Sequence, residues 1–261
     1  MSLLMCEPRH FGINYSINAW MDVNNKSNFE LANSQWRQLV NKLILIGEDI
    51  FYLHPRPWMP DLVFTANSAL IFNNTAVISR FKDKERRVEE VVNTEWYNKN
   101  GYYTELSPVL FEGAGDALFA GDTLYLGYGF RSSIEAKDYL SSFGLKIIHC
   151  HLIDPRFYHL DTCFCPLNGN RALIYSPAIS NVGDIDLELI EVPESEAARF
   201  ACNAVCVEDE SIVMPSGCPV TKARLEALGY NVLDTDMSEF IKSGGACKCL
   251  TIKLPFNGVR I

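Results

Sequence analysis

Cys249, in S-G-G-A-C-K-C-L-T, offers the most reactive side chain in a setting where a ligand could reach it. Gly244 and Gly245 let backbone approach a ligand, and the following C-L-T-I-K-L reads as a strand, so the thiol is expected where a loop enters a sheet. Three distant segments supply partners for it: His159 in Y-H-L-D-T, Glu112 in F-E-G-A-G-D and Asn67 in F-T-A-N. Cysteine-dependent enzymes assemble nucleophile and base from separated segments in this way. A free cysteine is most often just a small buried apolar residue. Cys249 is set apart by its Gly-Gly turn and by its place in a repeat.

That repeat positions the candidates. Each unit starts with a polar residue, runs as a strand, turns at Asn, Asp or Gly, returns as a strand, and continues through a helix to a further strand. Asn67 precedes S-A-L-I-F, with Asn73-Asn74 as the turn and T-A-V-I-S returning. Asp116 precedes A-L-F-A, with Gly121-Asp122 and T-L-Y-L-G-Y. Asp161 precedes T-C-F-C-P-L, with a turn at 168–170 and R-A-L-I-Y-S. Asn203 precedes A-V-C-V, with a turn at 208–210 and S-I-V-M-P. Cys249 starts the fifth unit. The five lead residues recur about every 45 residues, the spacing of one supersecondary unit per repeat. Arranged around a pseudo-axis, they would converge on its centre.

Helices are expected over Phe29 to Ile46, with Leu31, Leu39, Val40, Leu43 and Ile44 on one side, and around Val88, Val91, Val92 and Trp96 before Gly101. Ser132 or Ser133 is expected to cap a helix ending at Gly144, and Thr221 one ending at Gly229. Helix and strand alternate, so the class is mixed α/β, and no Gly-, Ser- or Pro-rich linker divides residues 1–261, which read as a single domain.

Other polar residues qualify by placement. On an extended segment His159 and Asp161 would share a face, giving one site a base and an acid. Glu112 and Asp116 flank the Gly113-Ala114-Gly115 turn. Arg80 and Arg131 follow the returning strands of the first two units, equivalent positions from which two guanidinium forks could grip a substrate carboxylate.

Composition removes several classes. A net charge of −9 argues against a nucleic-acid surface, and the most basic run, K-D-K-E-R-R, reads as the solvated face of a helix. A hydrophobic fraction of 48% with 21% charged residues is ordinary for a globular chain. No apolar run is long enough to span a bilayer and no signal peptide is evident, so the expected location is cytoplasmic and the nine cysteines are expected to be mostly reduced. His149-Cys150-His151, Cys163-x-Cys165 and Cys247-x-Cys249 offer soft ligands, but none has the C-x-x-C spacing of structural zinc, so no metal is expected. The glycines of G-A-G-D-A-L make neither a P-loop nor a dinucleotide fingerprint, and no cofactor is expected.

In this order, F-E-G-A-G-D, Y-H-L-D-T-x-F and G-G-x-x-x-C-L-T resemble the guanidine-modifying enzymes of the amidinotransferase and dimethylarginine dimethylaminohydrolase superfamily, over roughly Gly12 to Leu254. F-T-A-N, S-R-F, G-Y-G-F-R-S and M-P-S-G-C-P look most like its arginine dihydrolase branch, which converts arginine into ornithine, ammonia and carbon dioxide. The resemblance implies a pentein fold, a five-bladed pseudo-symmetric α/β propeller of ββαβ repeats with the site on its axis. It implies Cys249 as nucleophile, His159 as general acid and base, and Glu112 and Asp161 as guanidinium ligands. Arg80, Asp116 and Arg131 fall at positions that hold the amino-acid end of the substrate. Asn67 stands where arginine deiminases carry Asp, a departure from a plain deiminase. N-A-W-M-D-V-N-N resembles a site-covering loop, against the alternative of a solvated connector.

The expected partner is thus a small guanidino compound, with no nucleic acid or membrane, and the chain could form a homo-oligomer. Dimethylargininase, arginine deiminase and amidinotransferase are the alternatives within the superfamily. A non-catalytic pentein binding module and a metal-buffering protein are those outside it.

Overall fold

The computed structural model describes residues 2–167, 170–207 and 210–255. Among them are five three-stranded sheets. The N-terminal one begins with β1 (Ser2–Cys6), crosses helix α1 (Phe29–Leu45) and returns as β2 (Asp49–Leu53), parallel to β1. Asn28 caps α1 through its side chain on the Leu31 amide at 3.0 Å. The buried face of α1 is Ala32, Gln35, Trp36, Leu39, Val40 and Leu43. Leu31 and Ile44, expected there, are exposed, because the stripe runs one position away and Gln35 is spent on a polar tie to Asp236 and Ser238. Burying Leu39 and Leu43 completely contributes roughly 2 kcal/mol each.

The second sheet is β3 (Ala69–Phe72), β4 (Thr75–Ile78) and, after α2 (Glu89–Lys99), β5 (Tyr103–Leu106). The third is β6 (Ala117–Ala120), β7 (Thr123–Tyr128) and, after α3 (Ala136–Ser141), β8 (Lys146–His151). The fourth is β9 (Phe164–Pro166), β10 (Arg171–Ile174) and β11 (Glu188–Glu191). Following α4 (Glu194–Ala197), the fifth is β12 (Val205–Cys206), β13 (Ser211–Pro215) and, after α5 (Pro219–Ala227), β14 (Asn231–Thr235). Helix α6 (Ser238–Ile241) then leads to β15 (Ile252–Leu254), which pairs antiparallel with β1 and closes the ring by joining both ends of the described chain.

In the four sheets from β3 to β14 the first two strands are antiparallel and the last two parallel, the strand pattern of the repeat read from the sequence, and in three of them an α-helix links the parallel pair. Asn73 turns the first hairpin with φ +50°, a conformation asparagine tolerates. The turns expected at 168–170 and 208–210 lie largely outside the described residues.

Several expectations fail locally. The β10–β11 connection holds two 3-10 turns and no α-helix, since S-P-A-I-S-N-V-G-D carries Pro177 and Gly183, both poor helix formers. Neither Ser132 nor Ser133 caps α3, whose N-cap is Glu135, and Thr221 lies inside α5, because Pro219 already occupies the first turn. On α2 the buried face is Glu89, Asn93 and Tyr97, while Val88 and Val91 are exposed. Polar partners fix that choice: Glu89 pairs with a buried Arg86, and the Tyr97 hydroxyl lies 2.8 Å from Ser68 Oγ. Arg86, the fifth residue of the K-D-K-E-R-R run, is only 3% exposed, and the run forms turns ahead of α2, so it is not one solvated helix face. No helix among the described residues is long and apolar enough to cross a membrane.

Candidate active site

The five lead residues meet, and a circle of hydrogen bonds joins each unit to the next. The Ala66 amide donates to Cys249 O at 3.1 Å, Asn67 Nδ2 to Glu112 O at 3.3 Å, and the Leu160 amide to Asp116 Oδ1 at 3.1 Å. Asn203 Nδ2 donates to Asp161 O at 3.0 Å, and the Lys248 amide closes the circle on Asn203 O at 3.2 Å. All five are at most 3% exposed, so each polar group needs these partners.

Cys249 precedes β15 by three residues and sits on a turn, not on the strand. The two glycines before it serve packing more than ligand approach. A Cβ on Gly244, at φ +84°, would stand 2.7 Å from the Tyr158 hydroxyl, and one on Gly245 would stand 2.6 Å from the Phe64 ring. Cys249 Sγ receives Asn203 Nδ2–H at 3.0 Å and donates to Asp161 Oδ2 at 3.3 Å. Burial, and then the Asp161 charge, push the thiol well above its ordinary value. The thiol is therefore neutral at rest. Burial also raises Asp161, with His159 and Lys248 opposing.

His159 is extended, but Leu160–Thr162 forms a 3-10 turn, so the pair is not on one straight strand as expected. The turn aims Asp161 at the sulfur, while His159 Nε2 lies 2.7 Å from Glu112 Oε2. The other Glu112 oxygen accepts the Lys82 amide at 3.2 Å, and Arg131 Nη1 lies 3.4 Å from Oε2. Burial raises the Glu112 carboxyl, but Arg131, His159 and Arg86 outweigh it and hold it at about 2.

A small cavity borders this cluster, with room for about one water, about 10 Å³. Cys249, Asn67, Asp61, Arg86, Arg131 and Tyr158 are among its walls, and Ile17, Asn18 and Met21 cover it. The cover is latched: Arg131 Nη2 donates to Ile17 O at 2.7 Å, Asn18 Nδ2 to Ser243 O at 3.1 Å, and Trp20 Nε1 to Arg156 O at 2.7 Å. The first residues of N-A-W-M-D-V-N-N thus lie over the site. A larger cavity of about 190 Å³ opens on the hairpin side of the ring, lined mainly by apolar residues of the first strands. Cys249 and the charged side chains Asp61, Arg86 and Arg131 line the smaller one, which we take as the site.

Two expected ligands of the amino-acid end are placed elsewhere. Arg80 donates Nε to Ser107 O at 2.8 Å, pairs with Phe111 as a β-bridge and is not among the cavity residues. Asp116 is a brace: its carboxylate takes the Ser132 hydroxyl at 2.6 Å, the Ser132 amide at 3.3 Å and the Leu160 amide. Burial pushes it up to about 6. Arg131 does line the cavity, and its partner there is Arg86, which the sequence reading missed. Arg86 binds Glu89 with two nitrogens, at 3.0 and 2.8 Å, and gives Nη1 to Asn67 Oδ1 at 2.9 Å. Asp61 was also missed. Tyr15 donates to its Oδ2 at 2.6 Å, and its buried Oδ1 has no hydrogen-bond partner among the described residues. P-D-L-V-F-T-A-N was a usable signal, since it holds an acid six residues before Asn67 that no surface pattern explains.

Cysteine, histidine and two carboxylates on the axis of a five-sheet α/β ring define the pentein class of guanidine-modifying proteins. The family model for eukaryotic N,N dimethylarginine dimethylhydrolase matches residues 7–255, and the chain belongs to that family. It is 41% identical, over 97% of its length, to the bifunctional arginine dihydrolase/ornithine cyclodeaminase ArgZ of Synechocystis sp., of which it spans 37%. It is 33% identical to the N(G),N(G)-dimethylarginine dimethylaminohydrolase of Mycobacterium tuberculosis, over 96% of this chain and 84% of that one. The N-terminal domain of ArgZ, solved as a variant covalently bound to a reaction intermediate, superposes with a TM-score of 0.91 at 39% identity, covering 96% of each chain.

Proposed function

We propose that the chain hydrolyses the guanidinium group of arginine to ornithine, ammonia and carbon dioxide through covalent intermediates on Cys249. The carrying observation is the sulfur held between Asn203 Nδ2 and Asp161 Oδ2 beside the His159–Glu112 pair, with two arginines and an acid on the cavity wall. That wall is complementary to an amino acid: Arg86 and Arg131 suit a carboxylate, and Asp61, with its free oxygen, suits an ammonium. The guanidinium then falls toward Glu112 and Asp161.

A guanidinium arriving at Asp161 takes over the acceptor that the thiol now uses and brings a positive charge, both of which favour the thiolate. The thiol proton passes to His159, the sulfur attacks the central carbon, and ammonia leaves with that proton from His159. His159 then takes a proton from water, whose oxygen adds to that carbon and releases the sulfur, giving citrulline. In a second round the sulfur attacks the ureido carbon, ammonia leaves, and water releases a carbamate that breaks down to ornithine and carbon dioxide. Two waters are consumed and two ammonias leave, so the atoms balance.

Incubation with arginine, with and without glycine, and identification of the product tests this. Ornithine is expected. Citrulline alone would indicate a deiminase and guanidinoacetate an amidinotransferase. The family model favours a second reading, dimethylarginine hydrolysis, which dimethylamine release from dimethylarginine would reveal. Inert substrates together with unlabelled Cys249 under a haloacetamidine would favour a binding module. The arginine assignments have their own check: Arg86→Ala should raise KM for arginine about 100-fold, the worth of about 3 kcal/mol of charge-assisted contact, while Arg80→Ala should leave it within about threefold. The reverse order of effects would restore Arg80 as the ligand.

A further inference from the structure

We propose that Asn203 is the positioning residue of the nucleophile, fixing the Cys249 turn and donating a hydrogen bond to the sulfur throughout the reaction. The inference rests on the reading of Cys249 as nucleophile and goes beyond it in assigning what holds and charges that sulfur. Asn203 has no exposed surface, and every polar atom it owns is engaged. Oδ1 accepts the amides of Ala246 at 3.0 Å and Cys249 at 3.1 Å, and the main-chain oxygen accepts the Lys248 amide. Three of the four residues 246–249 are thereby clamped by one side chain and its own backbone. Nδ2 gives its two hydrogens to Asp161 O and Cys249 Sγ, each at 3.0 Å.

That orientation of the amide is set by its surroundings, because Oδ1 faces two N–H donors and Nδ2 must face the acceptors. Asn203 is itself anchored by its amide on Phe200 O at 2.8 Å, and buried Phe200 holds φ +63°, a left-handed conformation unfavourable for a bulky residue. Strain of this kind persists where the surroundings over-determine the backbone.

A hydrogen bond to sulfur favours the thiolate over the thiol. The other groups around the sulfur are Asp161, which disfavours the thiolate, the Ala246 backbone and Lys248, which favour it, Tyr158 and the His159–Glu112 pair behind Asp161. Among the described contacts, Asn203 Nδ2–H is the one side-chain donor directed at the sulfur. It is present before substrate arrives and remains when the sulfur is expelled as a leaving group.

Asn203→Ala and Asn203→Asp remove that donor, the first without adding charge and the second while keeping an acceptor for the two loop amides. The readout is the pH dependence of Cys249 alkylation by iodoacetamide, followed on the Cys249 peptide by mass spectrometry, alongside kcat and KM for the substrate of the unmodified protein. The alkylation midpoint should rise by about one pH unit or more in both variants, and kcat should fall roughly 100-fold with KM within about threefold. A lower melting temperature with the midpoint unmoved would reduce Asn203 to a structural brace and overturn the proposal. Should neither variant fold, the unmodified protein decides: the Asn203 side-chain amide protons must shift on the same midpoint as alkylation, and a flat nuclear magnetic resonance titration rejects the bond. If the unmodified protein turns over no guanidino compound, the functional reading fails while the alkylation profile still judges this one.

Discussion

Glu112→Gln should lower kcat/KM for arginine by roughly a thousandfold. Its carboxylate is completely buried and meets three donors, His159 Nε2, Arg131 Nη1 and the Lys82 amide. A glutamine offers one acceptor and one donor to partners that all present N–H, so at least one contact becomes repulsive. Removing one member of a buried ion pair costs about 3–5 kcal/mol, and each 1.4 kcal/mol on the barrier is about tenfold in rate. The pH dependence adds an independent readout. Held at about 2 against an ordinary 4.5, the carboxyl binds fewer protons folded than unfolded between those values. Its contribution to stability, roughly 3 kcal/mol, is fully present above pH 4.5 and is lost as pH falls toward 2. The gap in melting temperature between the unmodified protein and Glu112→Gln should therefore be wide at pH 7 and close on acidification. Near-normal turnover, or a gap equally wide at pH 7 and pH 3, would remove Glu112 from the centre of the mechanism.

The sequence exposed the ring because each unit announces itself locally, through alternating apolar strands and Asn, Asp or Gly turns. β6, β7 and β13 are the segments A-L-F-A, T-L-Y-L-G-Y and S-I-V-M-P to the residue. Pseudo-symmetry then carried Asn67, Asp116, Asp161, Asn203 and Cys249 to one place without any knowledge of tertiary contacts. It also misled. Arg80 and Arg131 occupy equivalent positions, yet the repeat cannot say which way a long side chain turns, and Arg80 turns to Ser107 O. Arg86 was hidden in a charged run whose composition suggests solvent, and only the burial of Glu89 on the inner face of α2 reveals it. Asn203 was read as a repeat position and no more, because a clamp on residues 246–249 exists only after the chain has folded back. Helix faces failed for a related reason: Val88 and Val91 look apolar in sequence, but Tyr97 and Glu89 have hydrogen-bond partners inside the fold, and α2 rotates to meet them.

Asn67→Asp should convert ornithine formation into citrulline accumulation. The amide in the native protein has two distinct ends: Oδ1 accepts Arg86 Nη1 at 2.9 Å, and Nδ2 spends one hydrogen on Glu112 O at 3.3 Å. Gly115 leaves it little freedom, since a Cβ there would lie 2.2 Å from Nδ2. The second Nδ2 hydrogen has no acceptor among the described residues, and Asn67 lines the cavity. It can therefore donate to a ureido carbonyl, as the second hydrolysis requires. An aspartate would keep the arginine contact and strengthen it by charge, but its other oxygen would oppose the Glu112 carbonyl and any ureido oxygen. The first hydrolysis tolerates this, because a guanidinium only donates. The second loses a donor at the oxygen where charge develops, a loss worth about 100- to 1,000-fold in comparable sites. In a time course resolved by amino-acid chromatography, arginine consumption should fall less than about tenfold while the ornithine-to-citrulline ratio drops at least about 100-fold. Ornithine released by Asn67→Asp in the native proportion would show that the second step draws its donor from another residue, and Asn67 would then serve only to seat Arg86.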